Sequence, residues 1–184
     1  MHSDATWERW KEAQLNSMAI LAGKRKLRAG QVAELVGRRR DEHRRSNPKR
    51  TQYSAGHDIV GAAGEIAFAR EFGYSVDNIL RQGGDTADFI TPVGKVDIKT
   101  ARKAYALIVK KGSRVSNVVI LAQYHEKSRT ATLIGWEWGS IVKKAPIRRM
   151  RPELPENHFI VATELRPIDE LKQLIEKERN SHET

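Results

Sequence analysis

Charge in an apolar setting is costly unless it is paired, hydrogen-bonded or bound to a metal, and four residues whose types could do chemistry raise that question: Glu65, Asp88, Asp97 and Lys99. Asp97 and Lys99 stand in the run Val96-Asp97-Ile98-Lys99, among neighbours that favour burial, although aspartate is depleted in strands. Asp88-Phe89-Ile90 reads as a strand before it, and Thr91-Pro92-Val93-Gly94 supplies turn chemistry between the two. With Thr91 facing Gly94, opposed pairs run outward through Ile90 and Lys95, then Phe89 and Val96, to Asp88 and Asp97. Strand alternation places Lys99 on the face of Asp97 and turns Val96 and Ile98 to the other face. Two aspartates directly across a ladder repel, so the pairing points to a cation between them. A different register would make one of them an ordinary turn residue. The chain has no cysteine, and its six histidines lie far apart. Carboxylates would therefore hold such an ion, which favours a hard one such as magnesium.

The element before this hairpin carries Glu65. Asp58 is placed to cap a helix running to about Phe72, with Gly73 just past its end. At about 100° per residue, Glu65 falls on the side of Gly61, Ala62, Phe68, Ala69 and Phe72. Gly61 and Gly64 would let that helix approach a sheet. A glutamate there needs a cation or a donor if buried, or else it reaches solvent at the rim. Asp58 is a second acid on this side, with capping as its simpler role. Asp85, in the loop that follows Gly83-Gly84, competes with Asp88 as the first strand acid. Asp88 is preferred because it begins the strand and lands opposite Asp97.

Further strands are expected at Tyr105 to Val109, Val118 to Tyr124 and Thr130 to Trp136. The last two are joined by a hairpin loop from His125 to Arg129. A proline-containing stretch (Pro146, Pro152, Pro155) leads to a short strand near Phe159-Ile160-Val161. A closing helix runs from Pro167 to about Arg179, with Ile168, Leu171, Leu174 and Ile175 on one face. Gln123 interrupts an otherwise apolar strand, either facing the acidic residues or lying on an exposed face. Trp136 and Trp138 alternate onto one strand face, where packing explains them better than base stacking.

The chain has 184 residues, enough for one domain with a core and short for two. Residues 1–50 read as a helical, basic N-terminal extension and 51–184 as the folded domain. Trp7, Trp10, Met18 and Leu21 mark an apolar helix face and a candidate homodimer interface, and Val32, Leu35 and Val36 continue it beyond Gly30. Between Gly37 and Arg50 seven cations (Arg38, Arg39, Arg40, Arg44, Arg45, Lys49, Arg50) face only Asp41 and Glu42. This concentration reads as an arm that tracks phosphates, or as a solvated face followed by a linker. The net charge of +10 and pI near 10.0 draw the protein to polyanions. Nucleic acid fits best, although anionic membranes or acidic proteins would satisfy the same charge. Hydrophobic residues at 39% and charged ones at 30% suit a soluble globular protein. No apolar run approaches the roughly 18 residues of a membrane span, and Met-His-Ser-Asp does not begin a signal peptide. Without cysteine there are no disulfides, thiolate zinc sites or cysteine nucleophile, which fits a cytosolic compartment.

A helical glutamate, then Gly-x-x-x-x-Asp, then Asp-x-Lys on a strand resembles the PD-(D/E)XK nuclease superfamily. The residues that carry the resemblance are Gly61-Ala62-Ala63-Gly64-Glu65, Gly83-Gly84-Asp85-Thr86-Ala87-Asp88-Phe89 and Val96-Asp97-Ile98-Lys99-Thr100. They cover roughly Asp58 to Arg102. Ala87 stands where the pattern has proline. Gly135-Trp136 and Leu165-Arg166-Pro167 also look like small phage and bacterial members, whereas the first 50 residues have no counterpart. The resemblance implies an α/β fold, a restriction-endonuclease-like mixed β-sheet flanked by helices, in a bacterial cell or phage-infected host. It implies metal-dependent hydrolysis of phosphodiester bonds in DNA rather than RNA, with magnesium as cofactor and manganese able to substitute. Asp88, Asp97 and the Ile98 carbonyl would hold one or two ions, with Glu65 binding directly or through water. Lys99 would orient the attacking water or stabilise the transition state, leaving a 5′-phosphate and a 3′-hydroxyl. Arg102, Lys103, Lys110 and Lys111 would steer backbone phosphates, or merely solubilise the surface. Two other readings stay open: a non-cleaving nucleic-acid-binding module on the same fold, and a basic structural protein.

Overall fold

The computed structural model describes residues 31–38, 57–74, 87–149 and 151–181. The hairpin forms in the register that its turn implies. Strand β1 (Phe89–Thr91) and strand β2 (Gly94–Ala101) pair antiparallel, with Thr91 opposite Gly94 and Phe89 opposite Val96. Gly94 takes the positive φ of 106° at the turn, a conformation open to glycine. Alternation along β2 buries Val96 and Ile98 and leaves Asp97 and Lys99 half-buried.

After β2 the chain runs through β3 (Ala106–Lys110), β4 (Val118–His125) and β5 (Thr130–Trp138). Strand β4 returns parallel to β2, with Asp97 opposite Val119 and Lys99 opposite Leu121, and β5 pairs antiparallel with β4. The result is a mixed four-stranded sheet in the order β1-β2-β4-β5. A parallel pair needs a crossover connection, and here the crossover contains β3. That strand joins a separate three-stranded antiparallel sheet with β7 (Asn157–Val161) and the edge strand β6 (Ile147–Arg148), in the order β3-β7-β6. The mixed β-sheet flanked by helices is present, and a second sheet accompanies it that the sequence does not announce, because alternation places strands without saying which of them pair.

Among the described residues four α-helical segments cover these sheets: α1 (residues 31–38), α2 (His57–Phe72), the short α3 (Gly139–Val142) and α4 (Ile168–Ser181). Helix α2 is described from His57 and ends at Phe72, and Gly73 past its end has φ 71°. The α4 face that buries Leu171 and Ile175 is the apolar stripe of its sequence. One face of the mixed sheet (Val96, Ile98, Val118, Ile120, Ala122) packs on Phe68, Ala69 and Phe72 of α2 and on Leu171 and Ile175 of α4. The opposite face, through Val119 and Leu121, packs on Leu107, Val109 and Ile160 of the second sheet and on Val142. Val32, Ala33 and Val36 of α1 pack on Val60, Ala62, Ala63 and Ile66 of α2 and on Tyr124. Trp136 is fully buried and donates from Nε1 to the Pro167 carbonyl at 2.9 Å. Its backbone also pairs with Arg166 at 3.0 and 2.9 Å, so Gly135-Trp136 and Leu165-Arg166-Pro167 meet in space. A side chain at Gly135 would stand 2.7 Å from Leu165 Cβ. No helix among the described residues is long and apolar enough to cross a membrane.

Candidate active site

The hairpin and α2 bring three carboxyls and one ammonium into a single electrostatic neighbourhood. Asp88 stands just before β1, and its backbone N–H donates to the Val96 carbonyl at 2.9 Å. Its Oδ2 accepts a 2.7 Å hydrogen bond from the Ile98 N–H, which fixes the carboxyl against the edge of β2. A strand residue presents its N–H and C=O to the same edge, so the Ile98 carbonyl faces that edge as well. On the next positions along β2, Lys99 Nζ and Asp97 Oδ2 form an ion pair of 2.6 Å. The lysine side chain keeps 41% of its surface exposed and the aspartate 21%, so the pair lies at an accessible rim.

Glu65 reaches this neighbourhood because α2 lies close against β2. The close point is Gly64: a Cβ there would stand 2.0 Å from Thr100 Oγ1 and 3.1 Å from Ile98 Cγ2. Gly61, by contrast, has open space around its missing side chain. Of the two glycines expected to admit the sheet, only Gly64 does so. Gly64→Ala should therefore lower stability by roughly 1–3 kcal/mol, the usual cost of an overpacked site. Thr100→Ala should restore part of that loss, because Thr100 Oγ1 is the atom struck and is buried without a partner among the described residues. Urea unfolding of the two single variants and the double variant checks this, since a shared clash appears as non-additivity.

The electrostatics converge on Asp88. Its carboxyl is pushed up to about 7, first by burial and then by the negative charges of Glu65 and Asp97. The Ile98 N–H and the Lys99 ammonium oppose that rise without cancelling it. A buried carboxyl with two negative charges nearby ionises more readily when a cation is close. Asp88, Asp97 and the Ile98 carbonyl offer oxygen donors, the kind that could hold a hard ion such as magnesium. Among the described residues no three His, Cys, Asp or Glu side chains are grouped to hold a metal.

Other residues singled out in the sequence fall in different places. Asp85, the rival of Asp88, and Arg39, Arg40, Arg44, Arg45, Lys49 and Arg50 lie outside the described residues. Arg38 pairs with Glu34 at 2.6 Å on α1. Arg102, just beyond β2, is tied to Glu126 at 2.5 Å, while Lys103 is exposed beside it. Lys111 pairs with Glu156 at 2.9 Å. Gln123 lies opposite Ala101, two steps along β2 from Lys99, so it shares the Asp97–Lys99 face. Trp136 and Trp138 make an edge-on pair with centroids 5.1 Å apart inside the packing, not an open stacking surface. What the sequence does not reveal is the backbone bond that holds Asp88. It joins residues ten apart, and no local pattern encodes it. No protein-family model, curated protein or solved structure matches the chain.

Proposed function

We propose that this chain is a metal-dependent nuclease that hydrolyses phosphodiester bonds in DNA. The observation that carries the reading is Asp88 held against β2, beside Asp97 and Glu65, with Lys99 on Asp97 at 2.6 Å. A hairpin bearing these groups at one side of a mixed sheet, with a helix supplying Glu65, also supports a restriction-endonuclease-like fold. Asp88, Asp97 and the Ile98 carbonyl would hold magnesium. When bound, the ion would activate water and neutralise charge on the scissile phosphate.

The chain's own residues account for the rest. The Ile98 N–H locks one oxygen of Asp88 and leaves the other to accept from a ligand or water. Asp97 holds the Lys99 ammonium at the accessible rim, where it can donate to a phosphate oxygen as negative charge builds or to the attacking water. Lysine suits this role because its compact ammonium is a mobile point charge with three donors. The Glu65 charge strengthens the demand for a cation around Asp88.

A panel of supercoiled, linear and branched DNA, with single-stranded RNA beside it, tests the reading in magnesium, manganese or chelator. The expected outcome is cutting of DNA only with metal, leaving 5′-phosphate ends. Binding without cutting under every metal would favour the non-cleaving module. Preferential cutting of RNA would reassign the substrate.

A further inference from the structure

We propose that the segment from Lys143 to Arg151, with the outer face of the β3-β7-β6 sheet, is the docking surface for the phosphate backbone of duplex DNA. This rests on the nuclease reading for its choice of partner. The segment contains Lys143, Lys144, Arg148, Arg149 and Arg151 and no acid, the nearest being Glu137 and Glu153. All five cations are exposed. Elsewhere many cations are neutralised locally: Arg38 and Arg129 by Glu34, Arg102 by Glu126, Lys172 by Glu71. On this segment only Arg149 approaches an acid, Glu156 at 3.7 Å. Lys143, Lys144, Arg148 and Arg151 form no ion pair among the described residues.

The sheet gives this charge a shaped support. Leu107, Val109 and Ile160 face the interior, so Ile108, Phe159 and Arg148 lie on the outer face by alternation and register. The Arg148 guanidinium sits 4.7 Å over the ring of Phe159, which is itself buried, and the ring of Tyr105, 53% exposed, lies 6.4 Å from it. A guanidinium stacked on an aromatic ring loses less freedom when it meets a phosphate, since its plane is already oriented.

The placement answers an electrostatic problem in the candidate active site. Three carboxyls repel a phosphodiester, so attraction must come from charges nearby on the same side. Asp97 and Lys99 stand opposite Val119 and Leu121, the β4 residues on which the second sheet packs. The β3-β7-β6 sheet is therefore on the Asp97–Lys99 side of the mixed sheet, its inner face toward it and the cationic strand β6 at its edge beyond β7. Helix α1, with Arg38, packs instead on α2 and Tyr124.

The test measures duplex DNA binding by fluorescence anisotropy in chelator, across a salt series. Wild type is compared with Lys143→Gln/Lys144→Gln/Arg151→Gln and with the charge-matched Lys172→Gln/Lys177→Gln/Arg179→Gln on α4. The first variant should lower the slope of log affinity against log salt by about 3, at roughly 0.9 per phosphate contact. It should weaken binding at least about tenfold at moderate salt, while the α4 variant stays within about twofold of wild type. Equal losses in both variants, no loss in the first, or wild-type binding to anionic vesicles but not to duplex would each overturn the proposal. Binding that depends on this segment in a protein that never cuts would uphold the surface and remove the nuclease reading.

Discussion

Lys99→Ala should cut DNA about 10²–10⁴-fold more slowly than the wild type, the range for loss of a positioned proton-transfer group, while binding DNA in chelator nearly as well. The basis is the position of Nζ, 2.6 Å from Asp97 Oδ2 at a half-exposed rim. An ammonium so placed can meet charge that develops on a phosphate, so its loss should fall on turnover rather than on affinity. Lys99→Arg should rescue little of the rate, because a planar guanidinium does not occupy the position of a compact ammonium. Folding is not the concern, since the side chain lies at a rim and an exposed ion pair contributes little to stability. Single-turnover cleavage with saturating enzyme separates the two effects. A Lys99→Ala protein that cut at the wild-type rate would remove the lysine from the chemistry.

Asp88→Asn should make the metal-free protein more stable at pH 8, by on the order of 2–4 kcal/mol, with little gain near pH 4. The sign follows from Asp88 itself. Its carboxyl is raised to about 7 in the folded chain, by burial and by Glu65 and Asp97, whereas in an unfolded chain it ionises near pH 4. Below that value both states are protonated and nothing is lost. Between about pH 4 and 7 the folded state holds a proton that the unfolded chain has released, so stability falls as pH rises. Above 7 the loss is complete. Asparagine keeps an oxygen that can accept from the Ile98 N–H at the same place and has no charge to repel its neighbours. Magnesium should narrow the difference at pH 8, since a cation between the acids offsets the repulsion. Thermal or urea unfolding of both proteins at pH 4, 6 and 8, with chelator and with magnesium, measures the effect. A difference that does not change with pH would mean that Asp88 is not held by a crowd of negative charge.

Much of this arrangement is legible in the sequence because it is local. The two-residue turn at Pro92-Val93 fixes the register, and alternation from there assigns faces to Asp97, Lys99, Val96 and Ile98. Residues 57–72 carry a helix-length run that stops at a glycine, which is also local information. What cannot be read depends on tertiary contact. The helical wheel offers Gly61 and Gly64 alike, and only the packed β2 distinguishes them. Alternation marks strands near Ala106–Lys110 and Asn157–Val161 without their partners, so the second sheet stays invisible. The segments Gly139–Val142 and Ile147–Arg148 are too short for a period to appear. The stretch around Pro146 and Pro152 reads as a connection, and its unpaired cations gain meaning only once the sheet behind them is in place.

The activity proposed for Asp97 and its neighbours is metal-dependent cutting of DNA. Its most direct test is cleavage of supercoiled and branched DNA by wild type and Asp97→Ala, purified side by side and matched for folding by thermal unfolding. The expected result is magnesium-dependent cutting by the wild type that chelator abolishes and that Asp97→Ala lacks, with 5′-phosphates at the new ends. A folded wild type that never cuts with magnesium or manganese, or an Asp97→Ala protein that cuts equally well, would contradict it.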